Sequence, residues 1–159
     1  MYLHGQILFF IFEVRLLYSL KTAAYFDSAH FLYGYDGKCS NIHGHRWKTE
    51  AEFSGEELQK NGVQREMLID FGDIKRELKA LADSFDHSLI YEKGSLKAKT
   101  LEALKEEGFR LTEIPCRPTA ENLARIFFEA LKEKNLPVSS VNVYETPENC
   151  AVYMEEKNV

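Results

Sequence analysis

Cysteine is scarce in this chain of 159 residues: there are three, an odd number, and no Cys-x-x-Cys pair occurs. That count supplies no disulfide framework, and a chain of this length does not need one. The missing paired spacing also argues against a structural zinc site built on cysteines. Basic residues are in deficit, with 20 Lys+Arg against 25 Asp+Glu, a net charge of −5 and a pI near 5.6. A general phosphate-backbone binder would carry the opposite excess, so no nucleic-acid partner is expected. Long apolar runs are lacking too. The run Ile7–Phe12 (ILFFIF) falls well short of the roughly 20 residues of a membrane helix. No Lys or Arg precedes it as a signal peptide requires, and Glu13 and Arg15 break it. It reads as an extra first strand or as a start codon placed too early, which makes residues 1–12 an N-terminal extension. The expectation is a cytoplasmic protein with no membrane partner. No repeat, low-complexity tract, linker or Gly-rich phosphate loop divides residues 1–159, which read as one domain.

A hydrophobic content of 45% with 28% charged residues is sufficient for a packed core. Residues 7–32 are rich in Phe, Tyr, Leu and Val and read as strand. Asp36-Gly37 breaks the loop that follows. From His43 to Phe53 the alternation is clean: His43, His45, Trp47, Thr49, Ala51 and Phe53 against Arg46, Lys48, Glu50 and Glu52. Period two means a strand with one sheltered face, and both histidines lie on it. Asp70-Phe-Gly-Asp73 is a helix-start cluster, followed at helical spacing by Ile74, Leu78, Leu81 and Phe85. Ser95–Glu107 reads as a short surface helix stopped by Gly108. Thr119 is the candidate N-cap of a further helix with Leu123, Ile126, Phe127, Ala130 and Leu131 as its stripe. Val138–Thr146 and Cys150–Glu155 read as a closing antiparallel pair. Strands, then helices, then strands predict an α+β layer with no βαβ series. Cys116 and Cys150 read as small buried thiols.

Three of the five histidines fall within sixteen positions. His43-Gly44-His45 on a strand puts two imidazoles on one face, about 6–7 Å apart along the chain. Gly44 removes bulk from the opposite face and eases close backbone approach. His30 shares a face with Phe26 and Ser28 on the preceding strand, and the 31–42 loop can bring that strand alongside. Three imidazoles with no fourth strong protein ligand describe a catalytic zinc site with an open position.

The ordered blocks Phe26-Asp-Ser-Ala-His30, Cys39-Ser-Asn-Ile-His43-Gly-His45, Asp70-Phe-Gly-Asp73, Asp86-His87, Pro118-Thr-Ala-Glu-Asn122 and Glu145-Thr146 resemble the 6-pyruvoyl- and 6-carboxy-tetrahydropterin synthase family. They span roughly residues 23–155. The resemblance implies Zn2+ on His30, His43 and His45, and Cys39 as the cysteine whose thiolate is a general base. It implies Asp86-His87 as the second proton-transfer pair. Asp86 has two further readings, as a group orienting Cys39 and as a cap of the helix end. Glu145 would anchor the pterin ring, its carboxylate accepting from a ring N–H and the exocyclic amine. Thr119 and Glu121 would contact the ring from a neighbouring subunit, with helix cap and first-turn acid as the equally good local reading. Asp70 and Asp73 are assigned to the helix start. The implied fold is the tunnelling fold, an antiparallel four-stranded sheet with two helices on one face. Its subunits assemble into a barrel, with two trimers stacked as a homohexamer and active sites between subunits.

The short spacing Cys39-x-x-x-His43 resembles the bacterial 6-carboxy-tetrahydropterin synthases of queuosine biosynthesis. That implies conversion of 7,8-dihydroneopterin triphosphate to 6-carboxy-5,6,7,8-tetrahydropterin, with loss of acetaldehyde and triphosphate. Formation of 6-pyruvoyl-tetrahydropterin from the same substrate is the alternative. A non-catalytic zinc-binding T-fold protein is a second, although a binder needs neither Cys39 nor His87. A zinc hydrolase is weaker, lacking an H-E-x-x-H helix. The Ser95–Cys116 segment is longer than the family's usual one and reads as a lid or a surface helix. Lys38 and Arg46 flank the histidine motif without an assigned role.

Overall fold

The two longest strands set the frame. In the computed structural model, which describes residues 17–156, β1 (Tyr18–His30) and β2 (His43–Gly55) pair antiparallel from Tyr18↔Gly55 to His30↔His43. The expected alternation holds: Phe26, Ser28, His30, Trp47, Thr49, Ala51 and Phe53 face inward. The apolar run Ile7–Phe12 lies outside the described residues.

Helix α1 (Phe71–Phe85) follows, then strand β3 (Ser88–Glu92), helix α2 (Ala98–Glu106), strand β4 (Leu111–Ile114), helix α3 (Ala120–Glu133) and strands β5 (Val138–Tyr144) and β6 (Cys150–Met154). The sheet order is β4-β3-β1-β2-β5-β6. Strands β1, β2, β5 and β6 are the expected antiparallel four. The expectation is corrected at the other edge. There β3 pairs parallel with β1 and with β4, so the sheet is mixed, with six strands among the described residues, and β3–α2–β4 is a parallel crossover. The five and four residues of these strands do not alternate, so period two does not reveal them. The surface helix expected over Ser95–Glu107 is α2, carried by that crossover.

Helices α1 and α3 cover the inward face. Phe26 stacks on Trp47 at 6.0 Å and on Phe127 of α3 at 5.8 Å, and Phe85 of α1 lies 5.3 Å from Phe127. Offset ring packing of this kind adds to the area-driven gain of burying large side chains. Ile74, Leu78, Leu123, Leu131, Val141 and Val143 belong to the same core. Each helix begins as its sequence predicts. The Asp70 carboxylate accepts from the Gly72 N–H at 2.6 Å, and Thr119 Oγ1 accepts from the Asn122 N–H. A Cβ on Gly72 would lie 2.9 Å from Asp70 Oδ1, so the glycine lets the cap close. Asp70→Ala is expected to cost about 1 kcal/mol. In thermal unfolding of a chain this size, that is a drop of about 2–4 °C. An unchanged midpoint would show that the cap is not stabilising. Cys116 is half-buried and Cys150 exposed, which corrects the reading of both as buried thiols. Cys150 opens β6, the edge strand of the sheet among the described residues.

Candidate metal centre and catalytic cavities

The β1–β2 register that buries Phe26 against Trp47 carries on to the strand ends, where Ser28 faces His45 and His30 faces His43. The inward stripe therefore ends in imidazoles. His30 is 1% exposed, and Trp47 stands edge-on to both His30 and His45, at 5.0 and 5.3 Å. Two backbone carbonyls orient the rings. His30 Nδ1 donates to Pro118 O at 2.7 Å and His43 Nδ1 to Asn41 O at 2.8 Å. A carbonyl only accepts, so in each neutral ring the hydrogen sits on Nδ1 and the lone pair on Nε2. Those two Nε2 atoms face each other at 3.1 Å. Opposed lone pairs at that distance repel unless a cation lies between them. His45 Nε2 is buried and has no hydrogen-bond partner. Burial, the largest cause for both, pushes the His30 and His45 rings below the usual histidine range, the Pro118 carbonyl opposing it for His30 and Glu145 for both. Neutral rings are the ligand form.

A fourth donor joins them. Glu145 Oε1 lies 3.4 Å from His30 Nε2 and 3.6 Å from His45 Nε2, and all four donor atoms fall within 4.8 Å of one another. Three imidazoles, two of them oriented by carbonyls, and one carboxylate are a group able to hold a metal ion. The fourth position expected to be open has a carboxylate beside it. Glu145 arrives there because β5 pairs antiparallel with β2 through Lys48↔Tyr144, which sets the next residue beside the histidine end. Gly44 is exposed, and a Cβ there would meet Ser28 O at 3.5 Å, an ordinary contact. Within one chain, the close approach expected at Gly44 is not needed.

Cys39 is half-buried on a single 3-10 turn, Lys38–Ser40. Its carbonyl accepts from the Leu32 N–H at 2.8 Å, and Arg117 donates to Tyr33 O at 2.7 Å, so both ends of the loop are tied. Cys39, Thr119, Glu121 and Glu145 line one cavity of about 300 Å³. Thr119 thus caps α3, Glu121 is an acid of its first turn, and both also line the cavity.

Asp86 and His87 do not join that group. They sit at the C-terminal end of α1, and His87 lines a second cavity of about 670 Å³ with Asp27, Ala29, Gly44, His45, Arg46 and Arg110, which reaches the His45 edge of the histidine group but not Cys39. Alternation along β1 and β2 puts Asp27, Ala29, Gly44 and Arg46 on the face away from His30. Asp86 Oδ1 accepts from the Asp27 N–H at 2.8 Å and Oδ2 from His87 Nδ1 at 2.7 Å. Those two bonds, the backbone one first, hold the Asp86 carboxyl below its usual range. Of its readings, Asp86 is the helix C-cap and the partner of His87. It does not line the Cys39 cavity. The sequence reading also missed the ring-orienting carbonyls of Asn41 and Pro118, which no residue type signals, and Arg110, which lies in the unassigned Ser95–Cys116 segment.

Comparison with known proteins gives a consistent picture. The family model described as 6-pyruvoyl tetrahydropterin synthase matches residues 19–156. A Haemophilus influenzae protein named 6-carboxy-5,6,7,8-tetrahydropterin synthase is 39% identical over 145 residues, covering 87% of this chain and all of that protein. A Rickettsia felis protein of the same name is 36% identical over 133 residues, covering 80% of this chain and 92% of its own. Among solved structures, the 6-pyruvoyl tetrahydropterin synthase of Caenorhabditis elegans superposes with a TM-score of 0.60 at 24% identity, covering 89% of this chain and 97% of that one. That of Plasmodium vivax superposes at 0.64 and 17% identity, covering 89% and 99%. At those identities the structures speak for the shared tunnelling fold. No helix among the described residues is long and apolar enough to cross a membrane.

Proposed function

The chain belongs to the 6-pyruvoyl tetrahydropterin synthase family, and on that premise we propose that it converts 7,8-dihydroneopterin triphosphate and one water to 6-carboxy-5,6,7,8-tetrahydropterin, acetaldehyde and triphosphate. The observation that carries the reading is the cavity shared by Cys39 and Glu145, because the same Glu145 stands beside three convergent imidazoles. His30, His43 and His45 hold Zn2+ in this reading, supported by the opposed Nε2 lone pairs and the partnerless His45 Nε2. A metal held by these residues would supply Lewis acidity toward the oxygens of the substrate side chain and so would make the adjacent C–H more acidic. Cys39 takes the proton released from that carbon. Glu145 accepts hydrogen bonds from the pterin ring, with Thr119 and Glu121 at the same cavity. Asp86 holds the Nδ1–H of His87, leaving Nε2 to give and take a proton.

Cys39 and His87 line different cavities of one chain, and in this reading the relay that uses both takes His87 from a second copy. That supports the homo-oligomer, with a hexamer of two stacked trimers as the proposed state and the queuosine route as the proposed context. Two measurements test the reading. Incubation with 7,8-dihydroneopterin triphosphate should yield the 6-carboxy product and acetaldehyde; 6-pyruvoyl-tetrahydropterin as the only product would transfer the chain to the sister activity. Mixing inactive Cys39→Ala and His87→Ala subunits should restore a fraction of turnover. No recovery after verified subunit exchange would reject the shared site.

A further inference from the structure

The Asp86–His87 couple is unusually exposed for a pair that must present one nitrogen at a fixed place. The His87 side chain is 78% exposed, and an ion pair at such a surface contributes little to its own geometry. His87 also has φ +51°, in the left-handed region that residues with a Cβ avoid. Something outside the pair must hold it there.

Three anchors do so. The His87 N–H donates to Asp27 O at 2.7 Å, and the Asp27 N–H donates to Asp86 Oδ1 at 2.8 Å. The third anchor is Arg110, which lies just before β4. Its Nη1 donates to Asp86 O at 2.9 Å, and its Nη2 donates to Asp83 O and Ser84 O, both at 3.0 Å. The last turn of α1 has no basic residue of its own, so Arg110 is the cation that caps its free carbonyls. Arg110 is fixed in turn, because its own carbonyl accepts from the Leu89 N–H at 3.0 Å. Thr112 Oγ1 donates to Ser88 Oγ, which donates to Phe85 O, tying β4 and β3 to the same helix end. Besides Asp86, the charged groups around His87 are Asp27 and Arg46, paired at 3.7 Å, and Arg110 itself.

We propose that Arg110, delivered by the β3–α2–β4 crossover, is a positioning residue that sets the Asp86–His87 couple for proton transfer. This rests on the function proposed above. A planar guanidinium spans three carbonyls at once, whereas the point charge of a lysine does not, so Arg110→Lys should rescue only in part.

The test compares Arg110→Ala and Arg110→Lys with Leu101→Ala in the full-length, zinc-loaded protein. Leu101 is a half-buried α2 residue away from these bonds, and its truncation loosens the crossover alone. Arg110→Ala should lower kcat by about 10- to 100-fold, as small misplacements of a reacting group do, with KM within about twofold. Leu101→Ala should keep near wild-type kcat. The ¹⁵N-edited imidazole spectrum should show the His87 Nδ1–H bonded to Asp86 in the wild type and lost in Arg110→Ala. Wild-type kcat and an unchanged His87 signal in Arg110→Ala overturn the proposal. Equal losses in Arg110→Ala and Leu101→Ala also overturn it, since they indicate general loosening. If the wild type fails to turn over the pterin triphosphate, the functional reading falls, and the His87 signal still decides the positioning. If Arg110→Ala does not fold, Arg110→Lys carries both readouts.

Discussion

Cys39→Ala is expected to retain a full complement of metal and to lose turnover by about 10²- to 10⁴-fold, the range for loss of a positioned proton-transfer group. The two halves of that expectation have separate structural sources. Metal retention follows because Cys39 is not among the four donors that lie within 4.8 Å of one another. The turn that carries it is also held by backbone, through the Leu32 N–H to Cys39 O and the Ser40 N–H to Gly37 O, so truncating the side chain leaves the turn intact. His43 keeps its orientation as well, since its Nδ1 donates to the Asn41 carbonyl, beyond the turn. Loss of turnover follows because the other groups lining that cavity are poorer bases: Cys150 lines it too, but burial pushes its thiol pKa up and its Sγ–H donates to Ala151 O. Glu145 is committed beside the imidazoles, and Glu121 is an exposed first-turn acid of α3. Cys39→Ser is an informative companion. It keeps a small polar group in place but ionises far less readily, so it should also be strongly impaired. Zinc content by atomic absorption and product formation under saturating substrate separate the two effects. Cys39→Ala with wild-type turnover would sink the mechanism, and Cys39→Ala without zinc would move Cys39 into the metal site.

The core of both fold and site was legible because it lies on long, regular strands. Eleven residues of β2, from His43 to Phe53, alternate in sequence, so the inward placement of His43 and His45 followed from period alone, and His30 followed from the matching face of β1. Asp70 and Thr119 were readable because capping is a local exchange between a side chain and an N–H two or three residues on. Legibility failed where the signal was short or lay in the backbone. Strands β3 and β4 show no alternation in five and four residues, so the sheet's second edge and its crossover went unread. The carbonyls of Asn41 and Pro118 fix two ring tautomers, yet a carbonyl is common to every residue. Arg110 acts on the end of α1 from 24 to 27 positions away, a contact that exists only once β3 and β4 have brought it back. Glu145 was read as the acid that would anchor the pterin ring, but its closeness to the imidazoles depends on the β2–β5 register.

The companion expectation concerns the metal itself: His43→Ala should lose both zinc and turnover. His43 is the informative choice among the three imidazoles because His30 is 1% exposed, so its truncation would leave a core cavity and confuse folding with binding. His43 is half-buried at the start of β2, where an alanine is tolerated. Losing an outer partner of a ligand typically costs about 10- to 100-fold in metal affinity, and losing a ligand should exceed that. Competition with a chelator reads the change directly. Protons compete at the same place. Burial lowers the pKa of His30 from 6.5, so the folded chain binds fewer protons there than the unfolded chain does. That contribution to stability is therefore present above pH 6.5 and is lost as the pH falls through that value toward the lowered one. Because zinc needs the neutral rings, the metal-loaded protein should hold its unfolding midpoint above that of the metal-free protein near neutral pH, with the gap closing in acid. In His43→Ala the gap should be absent at every pH. A variant that keeps the wild-type gap would show that His43 is not a ligand.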